Sequence, residues 1–141
     1  MRTAALAIAL LLGSTAPVFA QASSGNADVS HWVCGPGAVS TDIYVTNTSA
    51  VDLTVSVSFY GRSGAAVTSG ISYANFTGST LQAGKTGYAR ITCSTWDYGY
   101  ATIQWSGNPA RHPLLAYGVR SWTTSNGYSE ASIIINDGKA F

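Results

Sequence analysis

Three aromatic side chains and one carboxylate lie close together in the segment that runs from Ser94 to Tyr100. They are Trp96, Asp97, Tyr98 and Tyr100. Exposed Trp and Tyr rings could stack on sugar rings, and Asp97 could accept hydrogen bonds from sugar hydroxyls. The alternative is that Trp96 and Tyr98 cover the open end of a hydrophobic core. We expect the second role, because aromatic side chains at the rim of a β-sandwich usually cap its core.

Residues that could perform catalysis are few. His31 and His112 are the only imidazoles, and no Gly-x-Ser-x-Gly sequence or comparable nucleophile elbow occurs in the chain. Glycoside hydrolysis needs a pair of carboxylates, and Glu130 is the only Glu among six scattered acidic residues. We therefore expect no enzyme activity, no catalytic residue and no cofactor.

The first twenty residues have the layout of a secretory signal peptide. Arg2 supplies a positive charge, an unbroken apolar run covers residues 4–12, and Val18-Phe19-Ala20 offers small residues where a signal peptidase reads them. As a helix that rises about 1.5 Å per residue, the apolar run would not reach across a hydrocarbon core of about 30 Å. We predict a signal peptide over residues 1–20, a secreted or periplasmic mature protein, and no transmembrane segment.

Cys34 and Cys93 are the only cysteines in the chain. In an oxidising compartment an even pair of cysteines indicates a disulfide. A zinc site would need about four ligands, and only His31 and His112 could join the cysteines. A redox site would need the Cys-x-x-Cys spacing, which is absent. We therefore predict a structural bridge between Cys34 and Cys93 and no bound metal.

The charges of the chain are few and nearly balanced. Seven Lys and Arg residues oppose six Asp and Glu residues, and one of the seven, Arg2, belongs to the predicted signal peptide. Without a basic stripe the mature chain has no source of long-range attraction to phosphate backbones, so we expect no nucleic-acid partner. Solubility must depend on hydroxyls and amides, which is a mild hint of a protein partner or of self-assembly.

Alternating apolar and polar residues indicate one all-β domain over residues 28–141. In the clearest segment Leu53, Val55, Val57 and Phe59 share one face. Similar alternation occurs at residues 42–46, 88–93, 100–105 and 115–120, and residues 132–136 suggest a strand that is buried on both faces or an edge that something covers.

Turn sequences separate these segments and complete the prediction of the fold. Residues 61–64 predict a hairpin connection, and Asn126-Gly127 predicts a tight turn between the last two strands. Short strands with one polar face each favour a sandwich of two antiparallel sheets, with a closed barrel as the alternative. We expect residues 21–27 to form a loose leader.

Four tyrosines are predicted on the outward faces of these strands: Tyr44, Tyr60, Tyr88 and Tyr100. If neighbouring strands align them, they form a flat aromatic patch that suits a partner subunit or a polysaccharide. Scattered exposed tyrosines without a function are an equally open interpretation.

Residues 43–64, 99–105 and 115–122 resemble strands of the immunoglobulin-like β-sandwich domains of small exported bacterial proteins. In residues 43–64 a strand ends in an Asn-Thr-Ser turn, an alternating strand that closes on Phe-Tyr follows, and a glycine-containing hairpin comes next. The chain departs from antibody domains at Ile91, two residues before Cys93, where a tyrosine corner would place Tyr. The resemblance implies an exported sandwich, immunoglobulin-like in the loose sense, and it supplies no catalytic residue.

These features favour a non-catalytic structural or protein-interaction domain that acts outside the cytoplasmic membrane through a sheet face or an edge strand. The alternative function is a small carbohydrate-binding module. That module would use Trp96, Asp97, Tyr98 and Tyr100 as its ligand-binding residues, and its partner would be a polysaccharide.

Overall fold

The computed structural model describes residues 23–125 and 127–141, so the predicted signal peptide and the first residue of the predicted Asn126-Gly127 turn lie outside the described residues. Within them, strands form two antiparallel sheets that pack face to face, which confirms the predicted sandwich. The strands are β1 Ser24–Cys34, β2 Ser40–Asn47, β3 Leu53–Gly61, β4 Ile71–Ala74, β5 Thr80–Leu81, β6 Thr86–Thr92, β7 Asp97–Ser106, β8 Leu114–Thr124 and β9 Gly127–Ile134. A short 3-10 turn follows at Asn136–Gly138.

Consecutive strands alternate between the two sheets. The four-stranded sheet has the order β1-β7-β3-β5, and the five-stranded sheet has the order β4-β6-β2-β8-β9. Among the strands of the described residues, only β8 and β9 are both consecutive in the chain and neighbours in one sheet. Most connections therefore cross from one sheet to the other, and each crossing carries the chain over an end of the sandwich.

The hairpin-type connection predicted at residues 61–64 is confirmed, although the returning segment pairs with β3 only over residues 65–67. The Gly64 N–H donates to the Gly61 carbonyl at 2.8 Å, and Ala66 bridges back to Tyr60. The chain then crosses to the five-stranded sheet, where β4 pairs with β6. The crossing packs Val67 and Ile71 against the core, and an isolated hairpin would leave these side chains in water.

The core lies between the sheets and is filled by the inward residues that the alternation predicted. Leu53, Val55, Val57 and Phe59 are all buried. Trp32 is also buried, and its ring meets that of Phe59 edge-on at 6.1 Å between centres. Two carbonyls accept hydrogen bonds from the Trp32 indole N–H, at 3.0 Å and 2.8 Å, and they belong to Tyr60 and Tyr100.

The predicted leader is too long at its C-terminal end. Residues 24–27 are the first residues of β1 and pair with β7. Ala27 is buried in the core, and a Cβ placed on Gly25 would lie only 2.6 Å from Nε1 of Trp105. These small residues let β1 pack closely on Trp105, which explains why the segment is ordered as a strand.

The predicted Cys34–Cys93 disulfide is confirmed and joins the two sheets. Cys34 ends β1 in one sheet, Cys93 follows β6 in the other, and their Cα atoms lie 5.3 Å apart. This disulfide defines one end of the sandwich, which is called the disulfide end below.

No helix among the described residues is both long enough and apolar enough to cross a membrane.

Candidate functional site

The disulfide end carries the short loop between β1 and β2. Gly35 pairs with Val39 across this loop, and the Gly35 N–H donates to the Val39 carbonyl at 3.1 Å. Gly37 and Ala38 both have positive φ, at 73° and 62°. That conformation is easy for Gly and unfavourable for Ala, so the surrounding contacts must hold it. The backbone pairing of Gly35 with Val39 and the disulfide at Cys34 supply those contacts and give residues 35–39 a defined shape.

Trp96 rests on this loop and is exposed. A Cβ placed on Gly35 would lie 2.7 Å from atoms Cδ2 and Cε3 of Trp96, so the indole ring contacts the loop backbone directly. Even so, 66% of Trp96 is exposed, and about half of Tyr98 is exposed. The prediction that Trp96 and Tyr98 cap the core is therefore wrong. Trp32 fills the core where β1 approaches the disulfide, and this leaves Trp96 outside.

Trp96 and Trp122 line a cleft of about 380 Å³ at the disulfide end. Arg120 also lines it, and the Arg120 Cζ lies 4.9 Å from the centre of the Trp122 ring, which is a cation–π contact. Five further residues contribute to the walls: Val33, Pro36, Gly37, Val39 and Thr123. This Trp96–Trp122 cleft combines two aromatic rings with the hydrogen-bond donors of one guanidinium group.

Arg120 and Trp122 are not among the ligand-binding residues that the sequence predicts. Both follow Gly118 at every second position along β8, so they share the face of the strand that is turned toward the other sheet. Beyond the end of the core this face is no longer filled. The sequence signal that could have revealed them is the presence of two large side chains, Arg120 and Trp122, on the inward face of β8 directly after the small residues Ala116 and Gly118.

The other predicted ligand-binding residues of the aromatic loop lie outside this cleft. Tyr98 and Tyr100 are on β7 and are about half exposed. Tyr100 stacks on Tyr60, with ring centres 4.9 Å apart and planes inclined by 11°. An Asp97 carboxylate oxygen accepts a hydrogen bond from the backbone N–H of Tyr98 at 2.9 Å. The structure thus separates Trp96 from the rest of the segment.

The four tyrosines predicted on outward faces form two groups on different sheets. The rings of Tyr60 and Tyr100 stack on each other, and both residues belong to the four-stranded sheet. On the five-stranded sheet Tyr44 lies between Tyr88 and Tyr117, with ring centres 5.3 Å and 4.9 Å away. Tyr88, Tyr44 and Tyr117 are called the tyrosine row below. Tyr117 was not among the predicted outward tyrosines.

The edge strand β9 extends the tyrosine row. Ile134 pairs with Tyr117 and is 75% exposed, whereas Ile135 is buried. The strand predicted at residues 132–136 is therefore only partly right, because β9 ends at Ile134 and this edge strand is not buried on both faces. Burial, and next the nearby carboxylate of Asp42, raise the pKa of Tyr44 above its ordinary value. The row is thus a partly desolvated aromatic surface that ends in an exposed aliphatic side chain.

An ion pair lies beside the tyrosine row. The Arg90 Nε and Nη2 atoms donate to the two carboxylate oxygens of Asp42, both at 2.6 Å. Asp42 is only 2% exposed. The hydrogen bonds to Asp42 raise the pKa of Arg90 above its ordinary value, so the guanidinium keeps its charge. Arg90 is therefore a positioned donor on the outer face of the five-stranded sheet.

The chemistry that the described residues bring together is aromatic stacking and hydrogen bonding. Among residues 23–125 and 127–141, no three His, Cys, Asp or Glu side chains form a group that could hold a metal ion. Comparisons of the chain with protein-family models, with curated proteins and with solved structures give no match. Function must therefore be inferred from the geometry of the site.

Proposed function

We propose that this protein is a non-catalytic, exported binding domain that holds a polysaccharide in the Trp96–Trp122 cleft, outside the cytoplasmic membrane. The observation that carries the proposal is the position of Trp96, whose ring rests on Gly35 while two-thirds of the side chain stays in water. Leaving so large an apolar ring in water is unfavourable. A ligand that covers the ring removes that apolar surface from water and gains the corresponding free energy.

The chemistry of the cleft suits a sugar. Indole rings pack against the apolar C–H faces of sugar rings, and the guanidinium of Arg120 can donate hydrogen bonds to sugar hydroxyls. A volume of about 380 Å³ lies near the lower end of the range for small-ligand sites. That space fits one or two sugar units of a longer chain. A neutral ligand also matches a protein whose few charges nearly balance.

Two features support an exported location. The first twenty residues have the charge, apolar run and small residues of a secretory signal peptide. The Cys34–Cys93 bridge joins the two sheets, and disulfides of this kind persist in oxidising compartments.

Affinity electrophoresis in gels that contain β-glucan, xylan or mannan tests the proposal, with Trp96→Ala as the key variant. We expect at least one polysaccharide to retard the wild-type protein and Trp96→Ala to weaken this interaction about tenfold, or about 1.4 kcal/mol. The free energy of unfolding should change by no more than about 0.5 kcal/mol, because Trp96 is exposed. Tyr98→Ala is the matched control, since Tyr98 is an exposed aromatic outside the cleft.

Two outcomes would contradict the proposal. One is equal retardation of the wild-type protein and Trp96→Ala in every gel. The other is a loss of about 3–5 kcal/mol in the stability of Trp96→Ala, because that cost is typical of a buried aromatic and would restore the capping role.

A second candidate function is a protein-interaction domain, and the tyrosine row favours it. Three stacked or tilted tyrosine rings lead across the sheet to Ile134 on an edge strand. Aromatic side chains are enriched in protein interfaces, and an edge strand can pair with a strand of another chain. Light scattering coupled to size-exclusion chromatography tests self-association by this surface. Wild type should elute as an assembly and Ile134→Lys as a monomer, and a monomeric wild type would exclude self-association.

A further inference from the structure

A second recess lies beside the Trp96–Trp122 cleft, on the outer face of the five-stranded sheet. Its volume is about 320 Å³, and it shares Pro36, Gly37 and Val39 with the cleft, so the loop 35–39 separates the two. Its polar lining comes from four neighbouring strands and consists of Ser40, Arg90, Thr92, Ser121 and Tyr128. It is called the Ser121 recess below.

Ser121 is a buried hydroxyl without a hydrogen-bond partner. It is 3% exposed, and no atom of the described residues pairs with its Oγ. Its cross-strand neighbours are Ser40 on β2 and Glu130 on β9. A hydroxyl that leaves water without gaining a new partner lowers stability, and native proteins contain few such groups. The Oγ atom itself has almost no solvent-accessible surface, so a ligand hydroxyl in the recess would supply the missing partner once the Ser121 side chain turns toward it.

Positioned polar groups lie on both sides of Ser121. Arg90 is held by both oxygens of Asp42, and its Cζ lies 5.6 Å from the centre of the Tyr88 ring. The Nη1 atom of Arg90 takes no part in the ion pair and can donate to a ligand.

On β9, the Tyr128 hydroxyl donates to Oε1 of Glu130 at 2.9 Å. This contact leaves the other carboxylate oxygen of Glu130 as an acceptor. Tyr128 itself is 63% exposed, so one face of its ring is accessible to a ligand.

The charges around the recess select the class of ligand. Arg90 is the charged residue that lines the recess, and the carboxylate of Asp42 already balances its charge. Glu130, the neighbour of Ser121 on β9, adds a second carboxylate, so an anion is disfavoured, while donors and acceptors are both present for hydroxyl groups. We propose that the Ser121 recess binds one neutral sugar unit, which hydrogen-bonds to Arg90, Ser121 and Glu130 and packs on Tyr128. This inference rests on the proposed function, because it adds a second subsite to the one at Trp96.

NMR titration of the whole mature protein tests this inference. The probes are the methyl β-glycosides of glucose, galactose and N-acetylglucosamine, with sodium acetate as the anionic probe. We expect saturable shifts of recess residues with at least one glycoside, at a Kd in the millimolar range, and none with acetate.

Ser121→Ala should weaken this glycoside binding at least about fivefold, while its melting temperature without sugar does not fall, because the lost hydroxyl has no protein partner. Ser132→Ala is the matched control, since Ser132 is an exposed serine outside the recess. It should bind the glycoside as the wild-type protein does.

Titration with an oligosaccharide of the same sugar tests whether the sugar unit in the recess belongs to a polysaccharide chain that also reaches the Trp96–Trp122 cleft. Tighter binding of the oligosaccharide, with the gain lost in Trp96→Ala, supports one chain that occupies both subsites. Equal affinities of oligosaccharide and methyl glycoside would overturn the link between the recess and polysaccharide binding.

Three results would overturn the recess itself: no saturable binding of any glycoside, binding that Ser121→Ala leaves unchanged, or preferential binding of acetate. Polysaccharide retention measured in parallel separates this failure from that of the proposed function. If the polysaccharide retains the wild-type protein but not Trp96→Ala, only the proposal for the Ser121 recess is wrong. If the wild-type protein is not retained either, the proposed function fails as well.

Discussion

At the scale of single residues, the Arg90–Asp42 ion pair makes the clearest energetic prediction. Both oxygens of the buried Asp42 accept hydrogen bonds from Arg90. Arg90→Gln should lower the free energy of unfolding by about 2 kcal/mol, because it leaves a buried carboxylate without its counter-charge. The expected loss is below that of a fully buried pair, since water reaches the half-exposed Arg90.

A double-mutant cycle measured by urea unfolding checks this prediction. Asp42→Asn combined with Arg90→Gln should recover about 1 kcal/mol of the loss, because the unpaired charge is then gone. A loss under about 0.5 kcal/mol for Arg90→Gln alone would show that the pair behaves like an ordinary surface salt bridge.

At the scale of secondary-structure elements, β7 can lie between β1 and β3 because residue 99 is Gly. A Cβ on Gly99 would collide with the backbone carbonyl of Tyr60 on β3, and a backbone atom cannot rotate away. Gly99→Ala should therefore lower the free energy of unfolding by about 2–3 kcal/mol, the usual cost of overpacking. Denaturant titration measures it.

Gln104→Ala is the control for this prediction. Gln104 is exposed on the same strand, so its replacement should stay within about 0.5 kcal/mol. Equal stability of Gly99→Ala and the wild-type protein would mean that β3 and β7 separate without cost.

Alternation in the sequence predicted the strand segments of β2, β3, β6, β7 and β8 but not those of β4 and β5, and it did not decide the inward face of β8. Ala116 faces the core while Leu115 and Tyr117 are exposed, although they are larger. The same inward face is crowded two residues further on, where a Cβ on Gly118 would lie 2.9 Å from the Cβ of Ile133. Small residues face inward where the structure leaves little space, and periodicity alone does not report that space.

At the scale of the whole molecule, the disulfide links the two sheets across a separation of 59 residues. Replacing both Cys34 and Cys93 by Ala should lower the free energy of unfolding by about 4 kcal/mol, because the unfolded chain gains the freedom that the closed loop removes. Guanidinium titration of the oxidised wild-type protein and the double variant gives the difference. An equally stable double variant would show that packing between the sheets suffices.

The sequence by itself determined the strand segments of β2, β3, β6, β7 and β8, the inward face of β3 and the pair of cysteines that bridges the sheets. These follow from alternation between adjacent residues and from an even cysteine count, which are local or compositional signals. Only the tertiary structure decided which strands are neighbours, and with that the split of the tyrosines between two sheets and the pairing of Trp96 with Trp122. Trp96 is exposed because Trp32 fills the core and Gly35 supports the indole ring from outside. Contacts between residues that are so far apart in the chain produce no periodic pattern in the sequence, so the sequence alone does not reveal them.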